Sequence, residues 1–157
     1  GMIPNLHAVL AGSPQLLNAY QMLHELFINT SFDADELTVV WQGINAEHGC
    51  IYCVPAHTFI AQSMKVNSQL IEALRNEEAM PTPKLQALLD MTLTIVRNRG
   101  HVSQDQLDDF YAAGYQEQQV LEIILGLSQK IISNYTNHIA STPLDAPFKA
   151  FVWQKNK

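Results

Sequence analysis

The sequence predicts an all-α helical bundle formed by a single domain over residues 1–157. Apolar residues recur at three- and four-residue intervals through almost every segment. Ser, Thr and Asp residues stand where helices should begin, two of them directly before a proline, and glycines stand where helices should end. A chain of 157 residues can bury a real core without disulfide staples, and no linker, low-complexity tract or repeat divides it.

The elements follow in order. Ser13 and Pro14 form an N-cap with proline at the first helical position, and Leu16, Tyr20, Leu23 and Phe27 trace the expected inner face. "FDADELTVVWQGINAEHG" reads as a helix capped by Asp33 or Asp35 and ended near Gly49. Its Thr-Val-Val-Trp run has strand propensity but no partner strand nearby. Asn67 or Ser68 caps a short helix carrying Leu70, Ile71 and Leu74, and "MPTPK" breaks the chain after it. Thr82 and Pro83 open a helix through Leu85, Leu88, Leu89, Leu93 and Val96 that Gly100 closes. Ser103 and Gln106 make a capping box for a helix ending at Gly114. A longer helix runs from about Gln116 to Ala140, with Val120, Ile123, Ile124, Leu127 and Ile131 expected inward. The tail "STPLDAPFKAFVW" is expected to be extended and to pack on a neighbour.

Composition narrows the function. An apolar fraction of 47% with 15% charged residues excludes disorder and predicts a homo-oligomer that covers part of the apolar surface. A formal charge of −6, with the nine Lys and Arg residues scattered, argues against nucleic acid as a partner. "SQDQLDDFYAAGYQEQQVLEII" mimics a helix-turn-helix, but its second helix offers Gln116, Glu117, Gln118 and Gln119 where a groove reader needs basic residues. No apolar run approaches the roughly 20 residues of a membrane span. Gly1 ahead of Met2 reads as a cloning remnant, and the start of the chain lacks a signal-peptide pattern, so a cytoplasmic location is expected.

Both cysteines lie in "AEHGCIYCVPAH", residues 46–57, and in a reducing compartment such spacing points to redox chemistry or metal binding. At i and i+3 of a helix their α-carbons lie about 5 to 5.5 Å apart, within reach of a disulfide. His57 stands one turn beyond Cys53 and forms a thiol and base pair with it. Pro55 places Cys53 at the start of the helix, where the dipole favours a thiolate by roughly 0.3 to 1 kcal/mol, or up to about 2 if partly buried. Glu47 or Glu36 is the candidate carboxylate to orient the histidine.

"EHGCIYCVPAH" resembles the core of the AhpD-like alkylhydroperoxidases, within the carboxymuconolactone decarboxylase family, whose signature is Cys-X-X-Cys-X-X-X-His preceded by a glutamate. "LDDFYAAGYQEQQVLEIILGLSQKIISNYTNHIASTPLD" is similar to the C-terminal half of the same family, and the likeness spans about residues 33 to 145. The resemblance implies an all-helical fold assembling as trimers or hexamers, and a peroxidase that needs no bound cofactor. It implies that Cys53 attacks the peroxide, Cys50 resolves the sulfenate as a disulfide, and His57 relays a proton. An external dithiol such as a lipoyl protein, thioredoxin or a small thiol would then reduce the disulfide. The best-known members carry the glutamate twelve residues before the first cysteine, a position held here by Thr38. The decarboxylase branch lacks the cysteine pair, which makes decarboxylation the lesser inheritance.

Other readings of the same residues are a buried inert cysteine pair, and a zinc site using Cys50, Cys53, His57 and either Glu47 or His48. A redox sensor or disulfide-exchange protein without sustained turnover is a third. Tyr52 reads as a packed aromatic, Trp41 as core, and His48 as a second proton carrier or a solvent-facing residue. Asn134, Asn137 and His138 read as capping or intersubunit residues that could instead line the cleft. His7, His24 and His101 are assigned no role.

Overall fold

The computed structural model describes residues 2–155; Gly1, read above as a cloning remnant, lies outside them. The described chain is helical, with no strand among its residues: α1 Asn5–Leu10, α2 Pro14–Ile28, α3 Ala34–Glu47, α4 Cys53–Ser63, α5 Ser68–Asn76, α6 Pro83–Arg97, α7 Gln104–Ala112 and α8 Glu117–Ala140, closed by a 3₁₀ turn at Ala146–Phe151. No helix is long and apolar enough to cross a membrane among the described residues.

Most helix starts obey the capping chemistry of the sequence. The side chains of Ser13, Asn67 and Thr82 accept from backbone N–H groups of α2, α5 and α6. Asp33 with Glu36, Ser103 with Gln106, and Gln116 with Gln119 form reciprocal capping boxes on α3, α7 and α8. The Thr-Val-Val-Trp run is helical, because α3 is buried on every side from Glu36 to Ala46 and packs on α4, α5, α6 and α8. Tertiary burial overrides strand propensity there. Phe27, Val40, Trp41, Ile44, Leu88 and Ile123 form the centre of the core around it.

Three expectations are corrected. A short helix, α1, precedes α2; it begins after Pro4, with no side-chain cap to announce it. The tail is not extended: residues Ala146–Phe151 make a 3₁₀ turn that packs on α4 of the same chain, with Phe148 and Trp153 buried. On α8 the inner face is rotated from the expected one. Ile123 is buried as predicted, but Ile124 and Ile131 are exposed, as is Leu16 on α2, while Gln129, Lys130, Ser133, Asn134 and Asn137 point inward.

Gly126 sets how closely α8 approaches the centre. A Cβ there would stand 2.7 Å from Phe27 Cε2 and 3.0 Å from Val40 Cγ1, so only hydrogen fits between the helices. Gly126→Val should therefore lower unfolding stability by about 1 to 3 kcal/mol, measured by urea denaturation, despite replacing a helical glycine.

Candidate functional site

Gly49, with φ at +65°, ends α3 and turns the chain into the cysteine segment. The Cys50 N–H returns to the Asn45 carbonyl at 3.0 Å, and the Val54 N–H donates to the Cys50 carbonyl at 3.1 Å. Cys53 is the first residue of α4, and no conventional side chain caps that helix. The Cys50 sulfur takes the cap's place, accepting from the Cys53 N–H at 3.2 Å. Both cysteines are free and buried, and they come within 2.9 Å of each other.

A cavity of about 360 Å³ opens over Cys53, lined by Leu6, Ala56, Ile60 and Phe148 together with Tyr20, Tyr52, His7, His24, His57 and Lys130. Cys50 is not among its walls; it sits behind Cys53. α8 brings Lys130 to the cavity, where its Nζ lies 2.6 Å from His57 Nε2 and 5.8 Å from the centre of the Trp41 ring. Asn137 Nδ2 donates to Cys53 Sγ at 3.2 Å. His24 stacks on Trp41 and bonds to Gln129, whose amide oxygen accepts from the Trp41 indole at 2.8 Å.

These contacts divide the protons unequally. Burial opposes ionisation of Cys53, but the bond from Cys50, the charge of Lys130, and the Asn137 and Asn134 amides outweigh it, so its pKa is lowered to about 6. The bond to Cys53, followed by burial, pushes the Cys50 thiol far up. Burial lowers the Lys130 ammonium to about 8, against the opposing pull of the two cysteines. Burial, then Lys130 and His24, drive His57 well below the ordinary histidine range, so its imidazole is neutral. At neutral pH the balance therefore favours the thiolate on Cys53, with the shared proton held on Cys50.

The predicted carboxylates are elsewhere. Glu47 forms a two-pronged bond with Arg97 at 2.9 and 2.8 Å, on the far side of α3 from the cavity. Glu36 closes the capping box of α3 and pairs with Lys84 at 3.0 Å. Neither lines the cavity, and the partner on the His57 ring is a lysine. His48 bonds to Asn134, which reaches Asn45 at 2.9 Å and, through Gln42, the Val54 carbonyl and Thr58. This chain of amides, and not a capping or intersubunit role, occupies Asn134; Asn137 serves the sulfur. His138 lies on the exposed end of α8. With Glu47 on Arg97 and His48 on Asn134, the ligands weighed for zinc do not converge, and no group of three or more His, Cys, Asp or Glu residues is placed for a metal among the described residues.

The cavity roof is α1. Asp145, just before the 3₁₀ turn, accepts from the Asn5 N–H at 3.1 and 3.2 Å and from the Tyr52 hydroxyl at 2.5 Å. Tyr52 is thus more than a packed aromatic: it ties the cysteine segment to both ends of the described chain. Lys130, His24 and Asp145 carried no motif by which sequence reading could single them out.

Iodoacetamide labelling resolved by peptide mass spectrometry should show Cys53 reactivity rising with pH around a midpoint near 6. The lowered value keeps the reactive thiolate present in weak acid, and Cys50 should stay unlabelled to far higher pH. Glu47→Gln should leave the Cys53 midpoint in place.

No family model matches the sequence, and no curated protein does. Solved structures do match. A protein from Ralstonia eutropha JMP134, described as an alkylhydroperoxidase AhpD core and an uncharacterized peroxidase-related protein, superposes with a TM-score of 0.84 at 19% identity, over 94% of this chain and 80% of its own. An uncharacterized peroxidase-related protein from Silicibacter sp. TM1040 gives 0.78 at 18% identity, with the same two coverages, 94% and 80%. A superposition over this much of the chain at such low identity assigns the architecture alone: this chain has the AhpD-like all-α fold.

Proposed function

We propose that the protein is a thiol-dependent peroxidase in which Cys53 attacks a hydroperoxide and Cys50 resolves the product, with His57 held beside them on the cavity wall by Lys130. One observation supports this most. Of the two neighbouring cysteines, the one that lines the cavity has its thiol pKa lowered by its surroundings, and the other has its thiol pKa raised. A thiolate is the nucleophile of peroxide reduction, and a protonated neighbour within bonding distance is the partner for condensation.

In the first step the Cys53 sulfur forms a bond to the terminal peroxide oxygen, the O–O bond breaks and an alcohol leaves. The Cys50 thiol then condenses with the Cys53 sulfenic acid, expelling water and forming the disulfide. An external dithiol restores both thiols by exchange. The fold shared with peroxidase-related proteins is in keeping with this chemistry. Assembly into a homo-oligomer is supported by the apolar side chains left exposed on α8 (Leu121, Ile124, Ile131, Tyr135, Ile139) and on the adjacent α2 (Met22, Leu26).

Cys50→Ser, treated with one equivalent of cumene hydroperoxide, should accumulate a sulfenic acid on Cys53 that dimedone captures and mass spectrometry locates. Cys53→Ser should lower peroxide consumption at least about 10³-fold. An oxygen adduct on Cys50 in the Cys53 variant would reverse the roles, and no adduct in either would remove the peroxidase reading. Wild-type protein that is oxidised once and does not turn over with dithiothreitol would be a sensor.

A further inference from the structure

We infer that Lys130 is a catalytic residue of this site: its buried ammonium is the cation that holds Cys53 as a thiolate, and it donates the proton to the oxygen that leaves. The inference rests on the peroxidase reading for its second half, and for its first on the burial of Lys130, the lining of the cavity and the charge states of the groups that line it.

The geometry is that of a lysine with a single place to find an anion. Lys130 is 0% exposed, and burial of an ammonium is tolerated only opposite a compensating charge. No carboxylate lines the cavity among the described residues. α4 presents Cys53 and His57 to it, with Cys50 just behind. α2 presents Tyr20 and His24, α1 presents His7, and Tyr52 comes from the cysteine segment with its hydroxyl committed to Asp145. Burial lowers His24, His7 and His57, and raises Tyr20 and Tyr52, so each of these is neutral near pH 7. The Cys53 thiolate is the anion that remains.

His57 then acts through Lys130. With Nε2 accepting from the ammonium at 2.6 Å, the ring must carry its own proton on Nδ1, a buried atom without a partner among the described residues. In this arrangement the imidazole takes one Lys130 N–H and leaves two available to the thiolate and to a bound peroxide. The Glu47 and Glu36 carboxylates are not needed to orient it.

The proton count closes over a full cycle. The Cys53 thiolate takes the terminal OH of the hydroperoxide, sulfur is oxidised by two electrons, and the departing alkoxide takes a proton from the Lys130 ammonium to leave as alcohol. The amine is now neutral, opposite an uncharged sulfenic acid, and condensation with the Cys50 thiol releases water without changing that charge. When a dithiol reduces the disulfide, it delivers two electrons and two protons. One proton returns to Cys50, the other to Lys130, and Cys53 re-emerges as thiolate. Neither half-reaction leaves an unpaired charge in the cavity.

The test is Lys130→Met, which removes the charge and keeps the length, read by ultraviolet thiolate absorbance and by the pH dependence of cumene hydroperoxide reduction. The thiolate fraction in weak acid should fall about tenfold, and the rate constant should fall about 10²-fold or more. The wild-type rate should rise as Cys53 ionises and fall again as Lys130 loses its proton, near 8, and the variant should lack that alkaline limb. Lys130→Ala should recover rate with added methylammonium, which a merely structural lysine would not allow. An unmoved thiolate midpoint with an unchanged pH profile would overturn the inference. If neither variant folds, a wild-type rate that stays flat above about pH 8 would overturn it, and an alkaline limb would support it. Wild-type protein inert to hydroperoxide, with the midpoint still displaced by Lys130→Met, would sink the peroxidase reading and leave the ion pair standing.

Discussion

An ammonium group cut off from water must face an anion, and in this protein that requirement organises the site. Lys130 sits within the bundle with no carboxylate on the cavity wall among the described residues. The cost of burying the charge is offset by ionising a sulfur that the Cys50 thiol and the lysine together hold as a thiolate against burial. Each charge is unfavourable alone, and together they are mutually stabilising. The Cys50 thiol and the Asn137 amide then complete the environment of the sulfur by donating to it. Reactivity follows from packing, because α8 can bring the lysine this close only where Gly126 lets it settle against Phe27 and Val40.

The inner face of α8 illustrates how a periodic pattern can mislead. Ile124 and Ile131 form a clean apolar stripe, and a stripe of that kind normally marks the buried side of a helix. Here it faces outward, while Gln129, Lys130, Ser133, Asn134 and Asn137 are enclosed. Such an inversion is stable because nearly every enclosed polar group has a partner: Gln129 with Trp41 and His24, Asn134 with His48 and Asn45, Asn137 with the Cys53 sulfur. Hydropathy periodicity records apolar residues and says nothing of polar residues that satisfy one another, so Lys130 and His24 carried no signal.

Local chemistry was far more legible. Ser13, Asp33, Asn67, Thr82 and Ser103 start helices through side-chain bonds of the kind their residue types predict, and the helical nature of α3 followed from the absence of a strand partner. The position of Cys53 at the head of α4 was readable from Pro55, and so was the closeness of the two sulfurs. The glutamates were not placed correctly because proximity in sequence says little about which face of a helix looks at which neighbour. Glu47 is only three residues from Cys50, yet it ends up on Arg97 across α3. α1 and the 3₁₀ turn escaped notice because each depends on partners far away in the sequence: Asp145 holds the Asn5 N–H, and the turn packs on α4.

That dependence makes the Asp145 carboxylate a latch. It grips the first turn of α1 and the Tyr52 hydroxyl together, while Leu6 and Leu10 bury the same helix against Tyr20, Tyr52, Cys53 and Phe148. The wall over the reactive sulfur is thereby tied to the segment that carries it, so a change that loosens either end of the described chain is transmitted to the cysteines.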